Sequence, residues 1–465
     1  MSGTFYGFWQ LAYMLQLEGG YREACPAGAL LADGCPSLDA AWGALFTNTS
    51  VLAFSVPLLS GVALPYVGPR ATVILLTAVF AAGVALLLAA AQGAAPGALR
   101  SAFILPGLAC IATAAAANYL PLLSVASLFK RRTSLVLSVL SGSFDTGSGV
   151  FLVMRLLYDA GARPPALLAG FLGGPVACMF LIAAALWRDA PFHPPPEAPE
   201  SPHVVLAALA AAGSVHGKPP APASGGEGDS AAAAGEAGGH RVAAPPAPAP
   251  APAAFPKLAH LHGLPLLKQM ATVEYAVFFL FFAVLALRFN WFLSSFASQL
   301  GALGAPSDVD AQVAVLGYLM PTLALPAVLV AGFVLDARGP LAGLTLLSCL
   351  GTLLSALQLV PSLPLQGFTA LVFVMFRGTL FSCLSVFLSM AFGFSNLSAL
   401  VGVVTCLSGV FSLLTGPLLD WGLLRGFREP NALILALCAA SLAFPWWMAV
   451  RGGHTGLLSA LHAVK

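Results

Sequence analysis

The sequence predicts an all-helical protein that crosses a membrane many times, and three observations carry that prediction. Fifty-nine per cent of its 465 residues are hydrophobic. Only 8% are charged, against about 25% in an ordinary soluble domain. Apolar runs recur along nearly the whole chain, and about 20 such residues span a bilayer core of about 30 Å as a helix. A net charge of +2 leaves no electrostatic footprint for nucleic acid, so the basic residues inform through their placement. The expected partners are the lipid bilayer and a small-molecule substrate, with no cofactor and no metal.

Hydropathy places complete helices near 44–66, 71–92, 101–123, 134–157, 165–187, 270–293, 312–335, 341–360, 365–391, 398–423 and 431–450. Ahead of them, GTFYGFWQLAYML is apolar but too short before Glu18 to cross a membrane alone. It lacks the basic start and cleavage site of a signal peptide, so it is expected to be the outer half of a first, truncated helix. Residues 191–265, rich in Ala, Pro and Gly and including APPAPAPAPAA at 244–254, are expected to be a disordered linker. The linker divides the chain into a first six-helix half, 1–190, and a second six-helix half with a short tail, 266–465.

Orientation follows from Lys and Arg in the loops. The linker side carries twelve, among them Arg70, Lys130, Arg131, Arg132 and Arg338, and the other side five. The linker and C-terminus are therefore expected in the cytoplasm, with the protein in the plasma membrane or an organellar one. Of the eight cysteines, Cys25 and Cys35 alone share a polar loop, and they are candidates for a disulfide if that loop faces an oxidising side. All eight histidines lie in loops or the tail, which leaves a buried histidine relay unsupported.

An internal repeat marks the halves. GVALPYVGPR at 61–70 and GFVLDARGPL at 332–341 each place a glycine, then Gly-Pro seven residues later, after the second helix of a half. Related six-helix halves point to one transporter architecture. The element resembles the loop signature of the major facilitator superfamily, which implies that fold. The second copy keeps Asp336 and Arg338, suited to pinning helix ends, whereas the first has Pro65 where the aspartate belongs. Gly61, Gly68, Arg70, Gly332, Asp336, Arg338 and Gly339 are read as gating elements.

A charge near the bilayer centre costs about 2.5–3.5 kcal/mol on insertion scales, so each one needs a cavity or a partner. Asp145 lies near mid-membrane among Gly142, Gly147, Ser148 and Gly149. Two readings stand: a hydrogen bond across a tight packing seam, or a substrate or coupling role with Phe144 and Ser148. Arg155 precedes Asp159 by four residues, the spacing of a helical ion pair, and is expected to be structural. Arg377, with no acid within helical reach on its own segment, is suited to holding a carboxylate through two parallel hydrogen bonds. Arg288 and Asn290 of ALRFNWFLSS and Gln10 of the partial helix complete the candidate substrate residues, while Trp291 is expected to be an interfacial anchor and Glu274 a helix cap.

Several stretches together resemble solute carrier family 43, facilitators of large neutral amino acids: EGGYREAC at 18–25, SGSFDTGSGVFLVMRLLYDAG at 141–161, LRFNWF at 287–292, VPSLPLQ at 360–366 and FRG at 376–378. The resemblance implies sodium-independent facilitated diffusion of leucine-like amino acids by alternating access, and Arg288 and Arg377 match basic positions of that family. The competing readings are a carrier of another small organic anion, a proton-coupled symporter and a non-transporting sensor. An enzyme is not expected, because no nucleophile–base or metal constellation falls within the spans.

Overall fold

A computed structural model describes residues 4–25, 36–92, 97–129, 132–187 and 255–452; within these, some side chains are outside the described set, those of Tyr6, Phe144 and Asp145 among them. Every regular element among the described residues is helical. A 3-10 turn at Thr4–Gly7 leads into α1 (Phe8–Leu17). Then come α2 (Pro36–Val67), α3 (Pro69–Ala91) and α4 (Gly97–Ala117), the last carried on through Tyr119–Leu123 after a break at Asn118. Helix α5 has two pieces, Thr133–Thr146 and Gly149–Asp159, and α6 joins Pro164–Phe171 to Ala177–Leu186 through a π-helical turn at Leu172–Val176. The second half holds α7 (Val273–Gly301), α8 (Pro306–Arg338), α9 (Pro340–Gln358) and α10 (Leu363–Phe392). It ends with α11 (Leu397–Phe411 and, past a 3-10 turn, Thr415–Arg425) and α12 (Arg428–Ser441 and Ala443–Gly452).

Ten of the described helices are long and apolar enough to cross a membrane. The expected span at 134–157 differs: it breaks at Gly147–Ser148, where successive poor helix formers weaken the ladder. In α6 the irregular turn holds Gly173, Gly174 and Pro175; proline lacks an amide donor and crowds the preceding turn, and a wider turn relieves this.

The sequence repeat is a conformational repeat. Gly68 and Gly339 have φ of 83° and 82°, a region open to glycine at little steric cost. Each donates its amide to the carbonyl four residues back, Leu64 or Leu335, at 3.0 Å. Each is followed by a proline at the first position of the next helix, where its fixed φ suits the helix and its missing N–H goes unneeded. These two turns lie on one end of the bundle, called the turn face below.

The described residues resume at Phe255, within the expected linker 191–265. Phe255 packs edge-on against Phe387 of α10, with ring centroids 5.6 Å apart. The buried Gln269 donates to the carbonyls of Leu261 and Phe392, at 2.8 and 2.9 Å, and its side-chain oxygen accepts from Asn396. The approach to α7 is thereby fixed beneath the α10–α11 turn. Thr272, not Glu274, caps α7 by accepting from the Tyr275 amide, and Glu274 instead pairs with Arg451 of α12 at 3.1 Å.

Buried apolar side chains form two clusters. One lies wholly in the first half. The other fills the second half and also takes in Tyr119, Leu120, Leu123, Ala126 and Leu137 from the turn-face ends of α4 and α5. The halves meet mainly along two seams, α2 against α11 and α5 against α8, and α5 also packs on α10. Small residues let the backbones approach there: a Cβ at Gly61 would lie 2.5 Å from the Ser398 carbonyl oxygen, and one at Gly402 2.7 Å from that of Pro57. On the other seam, Cβ atoms at Gly142 and Gly332 would lie 2.9 Å from Val328 and 2.8 Å from Ser138. Overpacking a closed contact costs about 1–3 kcal/mol. Gly402→Val is therefore expected to lower the thermal unfolding midpoint of the purified protein by several degrees, whereas Gly416→Val, with nothing within 4 Å, leaves it unchanged.

Candidate functional site

Between the halves lies a cavity of about 40 Å³ lined by Phe54 and Pro57 of α2, Tyr119 of α4, Ser141 of α5, Phe381 and Leu384 of α10 and Thr405 of α11. Its wall is mainly apolar. That volume holds a few waters, well below the about 300 Å³ or more of a ligand pocket, so a solute requires the halves to separate.

The polar part of the wall is a hydroxyl cluster. The Tyr119 hydroxyl is 2.7 Å from Ser141 Oγ and 2.8 Å from Ser385 Oγ, tying α4 and α5 to α10. The Ser141 hydroxyl has the Leu137 carbonyl as an acceptor at 2.9 Å and that of Phe381 as a longer alternative at 3.4 Å. Two further links cross between the halves: Ser398 Oγ donates to the Leu120 carbonyl at 3.2 Å, and the Leu135 amide donates to Asp336 Oδ1 at 3.2 Å. The second sets a carboxylate at the first turn of α5, where unpaired amides favour negative charge. These links between the halves fall nearer the turn face. Towards the opposite face the α5–α8 seam rests on packing, such as Gly149 against Pro321.

Arg377 stands midway along α10, 2% exposed, one helical turn before Phe381 on the same face. Its Nη1 is 3.9 Å from Met320 Sδ of α8, and its guanidinium lies 5.6 Å from the Phe289 ring centroid. Phe289 also meets Phe381 edge-on, and Phe381 lines the cavity, so Arg377 lies behind the wall and is not itself part of the lining. Arg288 faces elsewhere. It is fully buried, 5.8 Å from the Phe292 ring centroid and near Cys438 of α12. The rings of Phe289, Phe373 and Phe292 stack between the two arginines.

The other expected residues divide by location. Asn290 donates to the Ala286 carbonyl and to Ser412 Oγ of α11 at 3.0 Å, an internal pairing of the second half. Gln10 accepts from Arg155 Nη1 at 2.7 Å, and Arg155 also lies 4.0 Å over the Tyr13 ring and 3.7 Å from Asp159. Ser148 is buried at the α5 break, its carbonyl against Gly7. Arg70 donates to the Ala184 carbonyl at 2.7 Å, while Arg338 is exposed. Cys25 is disulfide-bonded; Cys35 lies outside the described residues. Trp291 departs from its expected interfacial role: it is fully buried and donates its indole N–H to Asn431 at 2.8 Å.

Tyr119, Ser141 and Ser385 escaped the sequence reading. They stand 22 and 266 residues apart, and serines in apolar helices are common enough to carry no signal alone.

Comparison with known proteins fixes the fold. The proton:xylose symporter XylE superposes with a TM-score of 0.61 at 13% identity, over 96% of this chain and 93% of that one. The fold is that of the major facilitator superfamily. The human organic anion transporter MFSD10 (TM-score 0.52, 16% identity, 88% and 84% covered) and the fucose:proton symporter FucP of E. coli (0.51, 14%, 96% of each) share the major facilitator fold. No family model matches the sequence. The curated Protein FMP42 of Saccharomyces cerevisiae is 24% identical over 186 residues, 40% of this chain. The match covers 37% of that relative, little more than a third of its length.

The hydroxyl cluster makes a direct prediction. Tyr119→Phe removes the hydroxyl at its centre, a loss of about 1 kcal/mol, which is about a fivefold change in an open-to-closed ratio. In a background lacking the free cysteines, thiol labelling at Ser398→Cys on the turn face is expected to speed up about fivefold in the Tyr119→Phe variant.

Proposed function

We propose that the chain is an alternating-access transporter of large neutral, leucine-like amino acids, working by sodium-independent facilitated diffusion. The observation that carries this reading is the cavity wall, mainly apolar, with the hydroxyls of Tyr119, Ser141 and Thr405 in it and the Arg377 guanidinium behind it, reached through Phe289 and Phe381. Such a wall suits a solute with an apolar body and a compact polar head. A sugar carries hydroxyls around its whole ring and calls for donors and acceptors on every side, which this wall lacks among the described residues. The basic residues near the turn face support placing that face, the linker and the C-terminus in the cytoplasm; the membrane is the plasma membrane or an organellar one.

In this mechanism the amino-acid carboxylate pairs with Arg377 through parallel hydrogen bonds, and the side chain packs against Phe54, Phe381 and Leu384. Opening of the turn face breaks the Tyr119–Ser385, Ser398–Leu120 and Leu135–Asp336 links while the α2–α11 and α5–α8 seams act as pivots. A second reading, carriage of another small organic anion, draws on the same guanidinium and on the function named for MFSD10. The proton symport named for XylE and FucP is the third.

Radiolabelled leucine uptake into proteoliposomes separates these readings, with sodium and pH gradients imposed independently. The expected result is saturable uptake, indifferent to both gradients, suppressed by unlabelled neutral amino acids but not by simple carboxylates. Arg377→Ala is expected to reduce it at least tenfold in protein that remains monodisperse. Uptake that collapses with the proton gradient would reject facilitated diffusion, and competition by simple carboxylates would favour the anion carrier.

A further inference from the structure

Arg288 is a cation enclosed by the second half's own bundle. It sits midway along α7 with none of its surface exposed. Its Nε, Nη1 and Nη2 hydrogen-bond to no group among the described residues. Arginine does not shed its proton in proteins, so the charge persists. The face it meets is polar but uncharged. Gly351 of α9 lies against Leu285, and a Cβ there would be 3.8 Å from Cys438 Sγ. Ser355, one turn further along α9, lies 3.6 Å from the same sulfur. One turn beyond that, the buried Gln358 has neither side-chain amide atom hydrogen-bonded, although its carbonyl accepts from Asn431 at 3.3 Å. The phenylalanine stack Phe289–Phe373–Phe292 stands between this polar column and the Arg377 side of the bundle.

One ring 5.8 Å away offsets little of the cost of withdrawing a guanidinium from water. The remaining charge has to be balanced by something other than these side chains. We propose that the buried Arg288 guanidinium, beside Cys438 where α7 packs near α9 and α12, binds a small monovalent inorganic anion of the halide class, held as a resident counter-ion and not as the transported solute. The guanidinium supplies directed N–H donors, and Gln358, further along α9, has an amide N–H without a partner among the described residues; the Ser355 hydroxyl is committed to the Gly351 carbonyl at 2.8 Å. Enclosure by α7, α9 and α12 selects a small ion, and a single positive charge selects a monovalent one. A carboxylate on the transported solute is the other source of the same charge.

The test uses the full chain, purified in detergent with halide replaced by gluconate, which is too bulky for an enclosed site. Chloride and bromide, titrated at constant ionic strength, are expected to raise the thermal unfolding midpoint saturably by about 2–4 °C. Arg288→Met is expected to abolish that response and, in gluconate, to unfold no lower than the wild type, because the buried charge is gone. In bromide-soaked crystals of the wild type, an anomalous peak is expected within hydrogen-bonding distance of the guanidinium, and this readout stands whether or not the variant folds. A wild-type midpoint indifferent to halide, or no bromide peak at Arg288, overturns the proposal. So does an Arg288-dependent shift produced by acetate or leucine but not by halide, which assigns the charge to an organic carboxylate. None of these readouts involves transport, so their outcome is independent of leucine uptake.

Discussion

Within a bilayer, apolar side chains gain little by leaving lipid for protein, so close packing and hydrogen bonds must hold helices together. In this chain that constraint is met at two seams, α2 on α11 and α5 on α8, where Gly61, Gly402, Gly142 and Gly332 let one helix lie directly against the other. Everything between the halves depends on those approaches. They bring Tyr119 within hydrogen-bonding distance of Ser385, set the Asp336 carboxylate on the first turn of α5 and close the central cavity to the volume of a few waters. The distribution of links is uneven: directed hydrogen bonds near the turn face, packing towards the other. A bundle joined in this way has an end whose separation must break several specific bonds at once, which suits a two-state closure better than a graded one.

Charge inside the bundle is handled by aromatic rings. Arg377 and Arg288 both lie over phenylalanine faces, and three stacked rings stand between them. The stack divides the second half into a side that borders the cavity and a side enclosed by α9 and α12. The two arginines, one on α7 and one on α10, thus have different surroundings and call for different partners. Arg155 follows a third pattern near the far end of α5, surrounded by Gln10, Tyr13 and Asp159.

Much of the fold was legible in the sequence because hydropathy reports length, and length decides whether a helix spans. The helix ends at 67 and 338 were legible for a separate reason: Gly-Pro specifies both the positive φ and the start of the next helix. The break at Ser148 was not, since an apolar run scores as continuous whether or not its backbone is. Side-chain direction was the larger gap. A helix such as α10 is apolar on nearly every face and gives no periodic signal of which side meets protein. Trp291 therefore read as an interfacial ring, although Asn431, 140 residues away, holds its indole in the core. Arg288 and Arg377 were picked out by charge alone, but only the packing of Phe289, Phe373 and Phe292 separates them. The hydroxyl cluster is the clearest case, because it exists only once three distant helices are brought together.

Alternating access requires the two halves to move as bodies about the seams, with the turn face closed by hydrogen bonds and the opposite face by packing. Pulsed electron–electron distance measurements between spin labels on exposed sites read that motion without an intermediary. One pair would span α2 and the α10–α11 turn at the turn face, at Tyr66 and Ser395, and a second would span α5 and α8 at the opposite face, at Leu157 and Val313, with leucine added or withheld. Reciprocal changes are expected, one pair lengthening as the other shortens, in the wild type and with a shifted balance in Tyr119→Phe. Distances that stay fixed at both faces, or that lengthen together, are incompatible with rigid halves rocking about these seams.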